Sequence, residues 1–389
     1  DGQSYTEDLY AIEYYCTTCD DEGKDRSTVK GYKAASDEDL AAFNQAKSAW
    51  ESSESLREYV PDGAIPAGAI TAASRINGND VFSHGYETWQ DMFNSRQLYC
   101  LSTLLSAIDS IEDQRIKEYL LLAFSDSLMF QNNFALYSIS GTKIEGIFRQ
   151  NSYTPLVEYA ENNVWGTEYG RGTFLKSWKK VLAGVEWAKA PVERYIEDGS
   201  TKKTEPFNQP VGEDHEVLCG DMRKLEYENE FDAVLTDPPY YNNVIYSELS
   251  NFFYVWQRLL LKDEYEDFES DTTPRADSIV ANPAEGKDET DFEEELFQSF
   301  SKIHQALKQD GVLAFTYHHS DAESWGELLG ALCEVGFEVT ATYPVTADTN
   351  RATYKLNEGE SVDFDIIIVA RPAQDRQPIS WNSLRRNIY

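Results

Sequence analysis

Long apolar runs, cysteines and basic residues are all scarce in this chain of 389 residues. No apolar stretch approaches the roughly 18–20 residues that a membrane-spanning helix needs, and the first residues lack the pattern of a secretory signal peptide. Five cysteines are too few for a disulfide framework at this length. Hydrophobic residues still make up 41% of the sequence, enough for the cores of about two or three domains. We therefore expect a globular, cytoplasmic protein.

Positive charge is especially scarce, because 34 lysines and arginines face 68 aspartates and glutamates, a formal net charge of −34. An acidic surface should repel DNA. The acidic residues are spread along the whole chain, which is typical of a halophilic protein from a high-salt cytosol, where repulsion is screened within about 3 Å at 1 M salt. The alternative is an acidic surface that binds a basic partner.

Residues 171–203 depart from this acidity, with eight basic and four acidic residues and a net charge of +4. A local basic patch in an acidic chain is a candidate site for a phosphate backbone. A solvated helix face explains the same residues equally well. The candidate DNA-binding residues here are Arg171, Lys176, Lys179 and Lys180.

The first half of the chain is predicted to be polar and then mainly helical. Residues 1–35 are rich in turns, and 36–205 show the apolar stripes of amphipathic helices. Ser36, followed by Asp39, has the spacing of a capping box and predicts where the first long helix begins. The predicted helices of this half are 36–50, 88–110, 113–136 and 174–188.

Beyond a polar, proline-containing linker at 197–213, the pattern alternates between strands and helices. The predicted strands are 215–219, 231–236, 311–317, 337–344 and 363–370, and the predicted helices are 246–261, 291–308 and 321–335. This alternation favours an α/β fold with a doubly wound, mostly parallel sheet, whose ligands lie at the carboxyl ends of the strands.

The most informative residues are Thr-Asp-Pro-Pro-Tyr at 236–240, directly after the apolar run 231–235 that predicts a buried strand. A strand that ends in Asp-Pro-Pro-Tyr is typical of enzymes that methylate an exocyclic amino group with S-adenosylmethionine. The tetrapeptide alone can also be an ordinary turn, since Asp and X-Pro both favour turns. The strand in front makes the catalytic interpretation the stronger one.

The chemistry of an aromatic amine explains these residue types. Its lone pair is delocalised into the ring, so the nitrogen is a poor nucleophile. Asp237 can accept one N–H and a proline carbonyl the other, which turns the lone pair toward the methyl donor. Tyr240 can stack on the substrate ring, a contact worth about 1–3 kcal/mol. The candidate catalytic residues are Asp237, Pro238, Pro239 and Tyr240.

Further candidates surround the motif. The predicted strand 215–219 leads into Gly-Asp, and in a methyltransferase sheet Asp221 would accept the amino group of the cofactor adenine. A solvent-facing turn is the alternative for Asp221. The candidate cofactor-binding residues are Asp221 and Asp237. The candidate substrate residues are Tyr241, Asn242 and Asn243 after the motif, with Glu248, Asn251 and Trp256 on the following helix.

Two histidines and two cysteines are weaker candidates. His318 and His319 follow the predicted strand 311–317, where they could contact a nucleic-acid phosphate or order the pocket, although a structural role is the better interpretation. Cys16 and Cys19 form a CxxC, half of a zinc ribbon, and the other three cysteines lack this spacing. Zinc is therefore a candidate metal, and a leftover pair of thiols is the alternative.

Four segments together resemble the large prokaryotic adenine-specific DNA methylases that contain a zinc ribbon: 10–16, 95–104, 237–246 and 315–320. The Asp-Pro-Pro-Tyr-Tyr block is the most specific part. The resemblance implies a Rossmann-like class I methyltransferase sheet with a mainly helical N-terminal or insertion domain, S-adenosylmethionine as cofactor and DNA as partner. The implied domains are a zinc-ribbon-like remnant at 1–35, a target-recognition insertion at 36–205 and a catalytic domain at 206–389.

The sequence departs from this family on the cofactor side. The family has an Asp-Pro-Phe-x-Gly-x-Gly loop on its first strand, which cradles the methionine part of the cofactor, and an acidic residue that ends the second strand and holds the ribose. Both motifs are missing, and we expect five strands where the family has seven. We therefore expect that the chain is the C-terminal portion of a longer protein, or that an upstream segment or second chain supplies the glycine-rich cofactor loop.

The leading hypothesis is methylation of adenine N6 in DNA, with the base flipped out of the stack. Cytosine N4 is the nearest alternative, because the same motif serves both amines. Guanine N2 in RNA or an amide nitrogen in a protein is a more distant one. A different class is a non-catalytic nucleic-acid-binding subunit of a modification or defence complex, which would retain DNA through residues 171–203 without transferring a methyl group.

Overall fold

The structure is a computed structural model. It describes residues 8–23, 29–72, 80–149, 151–156, 158–166, 170–212, 214–239, 244–317, 322–346 and 364–373. The chain forms two compact units, and each is discontinuous in sequence. The N-terminal unit comprises Asp1–Val217 and Ser247–Thr273, and the sheet unit comprises Leu218–Tyr246 and Pro274–Tyr389.

The described part of the N-terminal unit consists of helices and short antiparallel hairpins. The hairpins pair β1 (Ala11–Tyr15) with β2 (Lys30–Ala34), β3 (Leu136–Ser138) with β4 (Lys143–Glu145), and β5 (Arg194–Glu197) with β6 (Ser200–Lys203). The helices are α1 (Thr17–Asp21), α2 (Asp37–Ser52), α3 (Ser95–Asp109), α4 (Gln114–Leu128), α5 (Phe174–Lys189) and α6 (Tyr246–Leu261).

Capping residues explain where the long helices begin. The predicted capping box is confirmed at α2, where the Asp39 N–H donates to Ser36 Oγ and the Ser36 N–H donates to the Asp39 carboxylate. Asn94 and Gln97 form a second capping box, which is why α3 starts later than the predicted residue 88. The predicted apolar stripe of α3 is buried, with Leu101 fully so.

Helix α6 brings a buried aromatic cluster into the N-terminal unit. Phe252 stacks on Phe93 with 5.8 Å between ring centroids, and Trp256 lies 5.2 Å from Phe93 and 5.6 Å from Phe124. Phe252 and Trp256 are both fully buried. Helix α6 therefore packs with the N-terminal unit, although its sequence lies within residues 206–389.

The sheet unit has a small mixed sheet, so the α/β class is confirmed. Its elements are β7 (Phe231–Thr236), α7 (Glu289–Ala306), β8 (Leu307–Tyr317), α8 (Ala322–Val335), β9 (Phe337–Thr346) and β10 (Phe364–Pro372). The strand order is β7-β8-β10-β9. Strands β7 and β8 are parallel, and β10 is antiparallel to both of its neighbours. Strands β7, β8 and β9 therefore run in the same direction, and the last strand inserts between β8 and β9 in the opposite direction, so the sheet is mixed with three of its four described strands parallel. The doubly wound, Rossmann-like arrangement stays a prediction.

Helices α7 and α8 cover one face of this sheet, and strand β7 is poorly covered. Alternate residues of β8, Leu313, Phe315 and Tyr317, are buried in a cluster with apolar residues of α7 and α8. On β7, by contrast, Leu235 is 78% exposed and Phe231 is also exposed. Strand β7 pairs with β8 alone among the described strands. Within the part of the chain that the structure describes, its outer edge therefore has no partner strand for its backbone donors and acceptors. None of the helices described in either unit is long and apolar enough to cross a membrane.

Two segments differ from the sequence prediction. Residues 215–219 do not form the predicted strand, and Val217 is 81% exposed. A strand without a neighbour leaves its backbone groups unpaired and is not stable in water. The predicted linker 197–213 instead contains β6, because Asp198 and Gly199, at φ of 52° and 73°, form the tight turn of a hairpin.

Candidate functional site

Asp237 lies one residue beyond the carboxyl end of β7. Thr236 pairs with Phe315 of the parallel strand β8, so Asp237 and Thr316 are neighbours at the next position along the two strands. The Thr316 hydroxyl donates a hydrogen bond to Asp237 Oδ1. Side chains alternate along a strand, so Thr316 faces away from the buried ring of Phe315. The motif aspartate is thus held by the adjacent strand on the sheet's less covered face.

This pairing fixes the direction of an exposed carboxylate. Threonine is stiff about its first side-chain torsion, so its hydroxyl anchors the carboxylate in a defined orientation. Pro238 and Pro239 follow and are half-buried. Thr316 was missed by the sequence analysis, although its place, one residue before the end of a strand, could have indicated it. The remaining motif candidates, Tyr240, Tyr241, Asn242, Asn243, His318 and His319, lie outside the described residues.

Asp221 also lies in the sheet unit, just before the short 3₁₀ turn Met222–Lys224. Arg223 donates to both of its carboxylate oxygens, from Nε and from Nη2, each at 2.9 Å. These hydrogen bonds lower the pKa of the Asp221 carboxyl to about 2. Arg223 Nη1 also lies 2.5 Å from Glu295 on α7. Asp221 is therefore ionised and paired, and its predicted contact with an adenine amino group would compete with Arg223.

Arg223 belongs to a cluster of ion pairs that the sequence analysis did not find. Lys287 Nζ lies 2.5 Å from the second oxygen of Glu295, and Arg275 lies 3.0 Å from Glu285. Arg223, Lys287 and the two glutamates line a cavity of about 390 Å³ together with further acidic and amide groups. Pockets for small organic ligands are mostly apolar. The cavity therefore has the character of an ion-pair network and not of an adenine pocket.

The described residues do not make a complete site for S-adenosylmethionine. The carboxylate of Asp221 is bound on both oxygens by Arg223. Gly220, just before it, has open space where a side chain would stand, so the backbone forms no close cradle there. The glycine-rich loop for the methionine part is absent from the sequence. Of the expected site, the described residues contain the Asp237 carboxylate and the two motif prolines.

Cys16 and Cys19 lie where β1 meets α1. The Cys19 N–H donates to Cys16 Sγ at 3.3 Å, and the Cys16 N–H donates to the Val29 carbonyl at 2.7 Å. A structural zinc ion takes four ligands. No group of three or more potential ligands occurs in the described stretches. Zinc binding by Cys16 and Cys19 therefore stays a prediction.

The α6 residues that the sequence offers for a substrate pocket are buried within the N-terminal unit. The Glu248 carboxylate accepts the backbone N–H groups of Ala69 and Ile70 at 2.9 and 3.0 Å. Asn251 Oδ1 accepts the Thr273 N–H at 2.8 Å. Within this unit the two side chains hold neighbouring loops in place. The sequence gives no signal for these contacts, because the partners of Glu248 lie almost half the chain away.

The candidate DNA-binding residues lie in the N-terminal unit, and the three lysines are on α5. Lys180 Nζ lies 2.8 Å from Asp126, and the Arg171 guanidinium lies over the Phe130 ring at 5.1 Å from its centroid. Both cations therefore have partners inside the unit. Lys176 is half-buried and Lys179 is exposed on the same helix.

The comparisons with known proteins add little to this geometry. No protein-family model matches the chain, and no curated protein does. A solved structure from Thermus thermophilus, named as a candidate DNA modification methylase, is similar over 43% of this chain and 56% of that one, at 13% identity and a TM-score of 0.23. The chain thus spans little more than half the length of that protein. So low a TM-score identifies neither a fold nor an activity.

Proposed function

We propose that the chain is an amino-methyltransferase that uses S-adenosylmethionine, with adenine N6 in DNA as the acceptor. The observation that carries this proposal is the Asp237 carboxylate, held by Thr316 at the adjoining carboxyl ends of β7 and β8. Open α/β sheets bind their ligands at such strand ends. Asp237 also begins the Asp-Pro-Pro-Tyr motif, whose residue types suit an aromatic amine.

Asp237 and Thr316 have different tasks in this proposal. Asp237 accepts one N–H of the target amine, and the carbonyl of a motif proline accepts the other, which directs the nitrogen lone pair out of conjugation with the ring. Thr316 is a positioning residue, because its hydroxyl fixes the orientation in which Asp237 accepts. An acceptor that is already oriented does not have to reorganise during the reaction. Tyr240 stacks on the flipped base.

In the same proposal, the cofactor side is completed at the open edge of β7. Leu235 is exposed there, and residues 215–219 pair with none of the described strands. An unpaired edge beside exposed apolar side chains is a template for a further strand. An upstream segment or a second chain that pairs with β7 would bring the glycine-rich loop to the carboxyl end beside Asp237. The Rossmann-like methyltransferase sheet is part of this proposal.

A second candidate acceptor is cytosine N4, because two hydrogen-bond acceptors suit that amine equally well. A second candidate function is a non-catalytic nucleic-acid-binding subunit, which would retain DNA through residues 171–203, with their net charge of +4. The two functions differ in their dependence on Asp237. Methyl transfer requires its carboxylate, whereas binding by another surface does not.

The test is nucleoside analysis of DNA from cells that express the chain together with the segment or second chain that supplies the glycine-rich loop, in a host without adenine methylation. We expect N6-methyladenine with the wild type and a loss of at least about 100-fold with Asp237→Ala or Asp237→Asn. Thr316→Val should reduce methylation about tenfold or more, and Thr316→Ser should restore it. N4-methylcytosine would favour the second acceptor. Methylation that survives Asp237→Ala, or no methylated base from any variant, would contradict the proposal.

A further inference from the structure

The hairpin of β5 and β6 is exposed along its whole length. All eight strand residues, Arg194–Glu197 and Ser200–Lys203, are exposed to solvent. The ribbon is anchored at its base, where the Thr204 N–H donates to the Glu193 carbonyl at 2.9 Å and the Glu193 N–H donates to Thr204 Oγ1 at 3.0 Å. A two-stranded hairpin with no buried face gains little from packing. An element of this kind has its side chains available to a partner.

The two faces of this ribbon differ in charge. Residues directly opposite each other share a face, and the pairs are Arg194 with Lys203, Tyr195 with Lys202, Ile196 with Thr201 and Glu197 with Ser200. We call the face of Arg194, Ile196, Thr201 and Lys203 the basic face, and the other the mixed face. On the mixed face Lys202 is paired with Glu197. The basic face carries two cations and no acid.

The basic face is unfavourable for the isolated hairpin. Arg194 and Lys203 are like charges at directly opposite positions, which destabilises a strand pair. Neither has an ion-pair partner among the described residues. Ile196, on the same face, is 79% exposed. Two such cations flanking an exposed apolar side chain are complementary to a partner that offers both negative charge and methyl groups.

We propose that the β5–β6 ribbon binds in the major groove of duplex DNA through its basic face. The proposal rests on the proposed function for the identity of the nucleic acid. The major groove, about 12 Å wide, admits a two-stranded ribbon, and it exposes guanine O6 and N7 to arginine and the thymine methyl group to apolar side chains. Arg194 and Lys203 contact base edges or the flanking phosphates, and Ile196 contacts methyl groups. The deep, narrow major groove of duplex RNA excludes such a ribbon.

The experiment uses the full chain and the duplex that it retains most tightly from a random pool, without S-adenosylmethionine. Lys203→Gln and Lys202→Gln are a matched pair, because each removes one lysine charge, from the basic and the mixed face respectively. We expect Lys203→Gln to weaken binding several-fold, Arg194→Gln with Lys203→Gln to weaken it about ten- to a hundredfold, and Lys202→Gln to have little effect. The slope of log affinity against log salt should become shallower by about 0.9 for each phosphate that a variant no longer neutralises.

Dimethyl sulfate footprinting identifies the groove, because it modifies guanine N7 in the major groove and adenine N3 in the minor groove. We expect the wild type to protect guanine N7, and the double variant to lose that protection. Protection of adenine N3 alone, equal binding of duplex RNA, equal effects of the two single variants, or no DNA binding by the wild type would each overturn the proposal. The residues are exposed, so unchanged thermal unfolding verifies that the variants fold.

The outcomes separate this proposal from the proposed function. If the chain binds DNA through the basic face but transfers no methyl group in cells, the methyltransferase proposal fails and the ribbon proposal stands. If methylation occurs and the double variant binds DNA as tightly as the wild type, the ribbon proposal fails and the function stands.

Discussion

Strand β7 and helix α6 flank the same motif in the sequence, yet they differ in how far their apolar side chains are buried. Strand β7 exposes Leu235 and pairs on one edge, whereas α6 buries Phe252 and Trp256 among aromatic rings. Both are apolar in sequence. The difference lies in their neighbours: α6 finds its packing partners within the N-terminal unit, and β7 has a described neighbour on one side only. Hydrophobicity therefore predicts the need for burial, and the available neighbours decide whether it is met.

The largest effect is expected on the α6 side of this comparison. Phe252→Ala removes a fully buried ring that stacks on Phe93 and should lower the free energy of unfolding by about 3–5 kcal/mol. Phe253→Ala is the matched control, because it removes the same ring from a half-buried position of the same helix. Urea unfolding followed by circular dichroism measures both. Equal losses of unfolding free energy for the two variants would show that the fully buried ring of Phe252 stabilises the fold no more than the half-buried ring of Phe253.

Glu248 tests how firmly the start of α6 is held. Glu248→Ala leaves the N–H groups of Ala69 and Ile70 without an acceptor in a buried place, which should cost about 1–3 kcal/mol. Glu248→Gln keeps one acceptor oxygen and should cost less. The same urea titration compares them. If alanine is tolerated as well as glutamine, the carboxylate does not anchor this segment.

Asp221, which precedes β7 in the chain, forms an ion pair with Arg223, so its contribution to the free energy of unfolding depends on pH. The folded-state pKa of Asp221, about 2, lies below the roughly 3.9 of an unfolded aspartate. Its pairing with Arg223 therefore stabilises the fold fully above about pH 4, and this contribution is lost as the pH falls toward 2. The difference in unfolding free energy between the wild type and Asp221→Asn should shrink over that range, which urea titrations at a series of pH values measure. A difference that stays constant would mean that the pair does not form in solution.

The smallest effect is expected on β7 itself. Leu235→Ala removes a side chain that is exposed and should change the free energy of unfolding by no more than about 0.5 kcal/mol. Leu313→Ala on the neighbouring strand is the matched control, and it should cost about 2–5 kcal/mol because Leu313 is fully buried. A large loss for Leu235→Ala in the chain alone would show that β7 is covered in solution. A loss that arises only when a strand-donating partner is added would locate that partner at β7.

Helices and strands could be predicted from the sequence where residues close together in the chain determine them. Strand β7 and helix α6 have the predicted bounds, and the capping box fixes the start of α2. The pattern failed at 215–219, where the residues suit a strand but no neighbour is described, and at β6, whose residues are polar. The turn at Asp198 and Gly199 forms the β5–β6 hairpin in spite of these polar residues.

The sequence pattern did not predict contacts between residues that are far apart along the chain. The motif identified Asp237, but its partner Thr316 is 79 residues away, and the acceptor role of Glu248 toward Ile70 spans 178 residues. The pairing of Asp221 with Arg223 is local, yet nothing in the spacing showed that both carboxylate oxygens would be used. The sequence could thus name candidate residues, and the structure supplies the partners of those that it describes.

The discontinuous N-terminal unit has a consequence for biosynthesis. Its core needs α6, so it cannot close until the ribosome has released the chain as far as Thr273, after the Asp-Pro-Pro-Tyr motif and β7 have already emerged. Domains fold as units during synthesis, and unpaired strand edges are exposed while they wait. The N-terminal unit can therefore close while residues 231–236 are still without β8, the strand that pairs with them, because β8 begins only at Leu307.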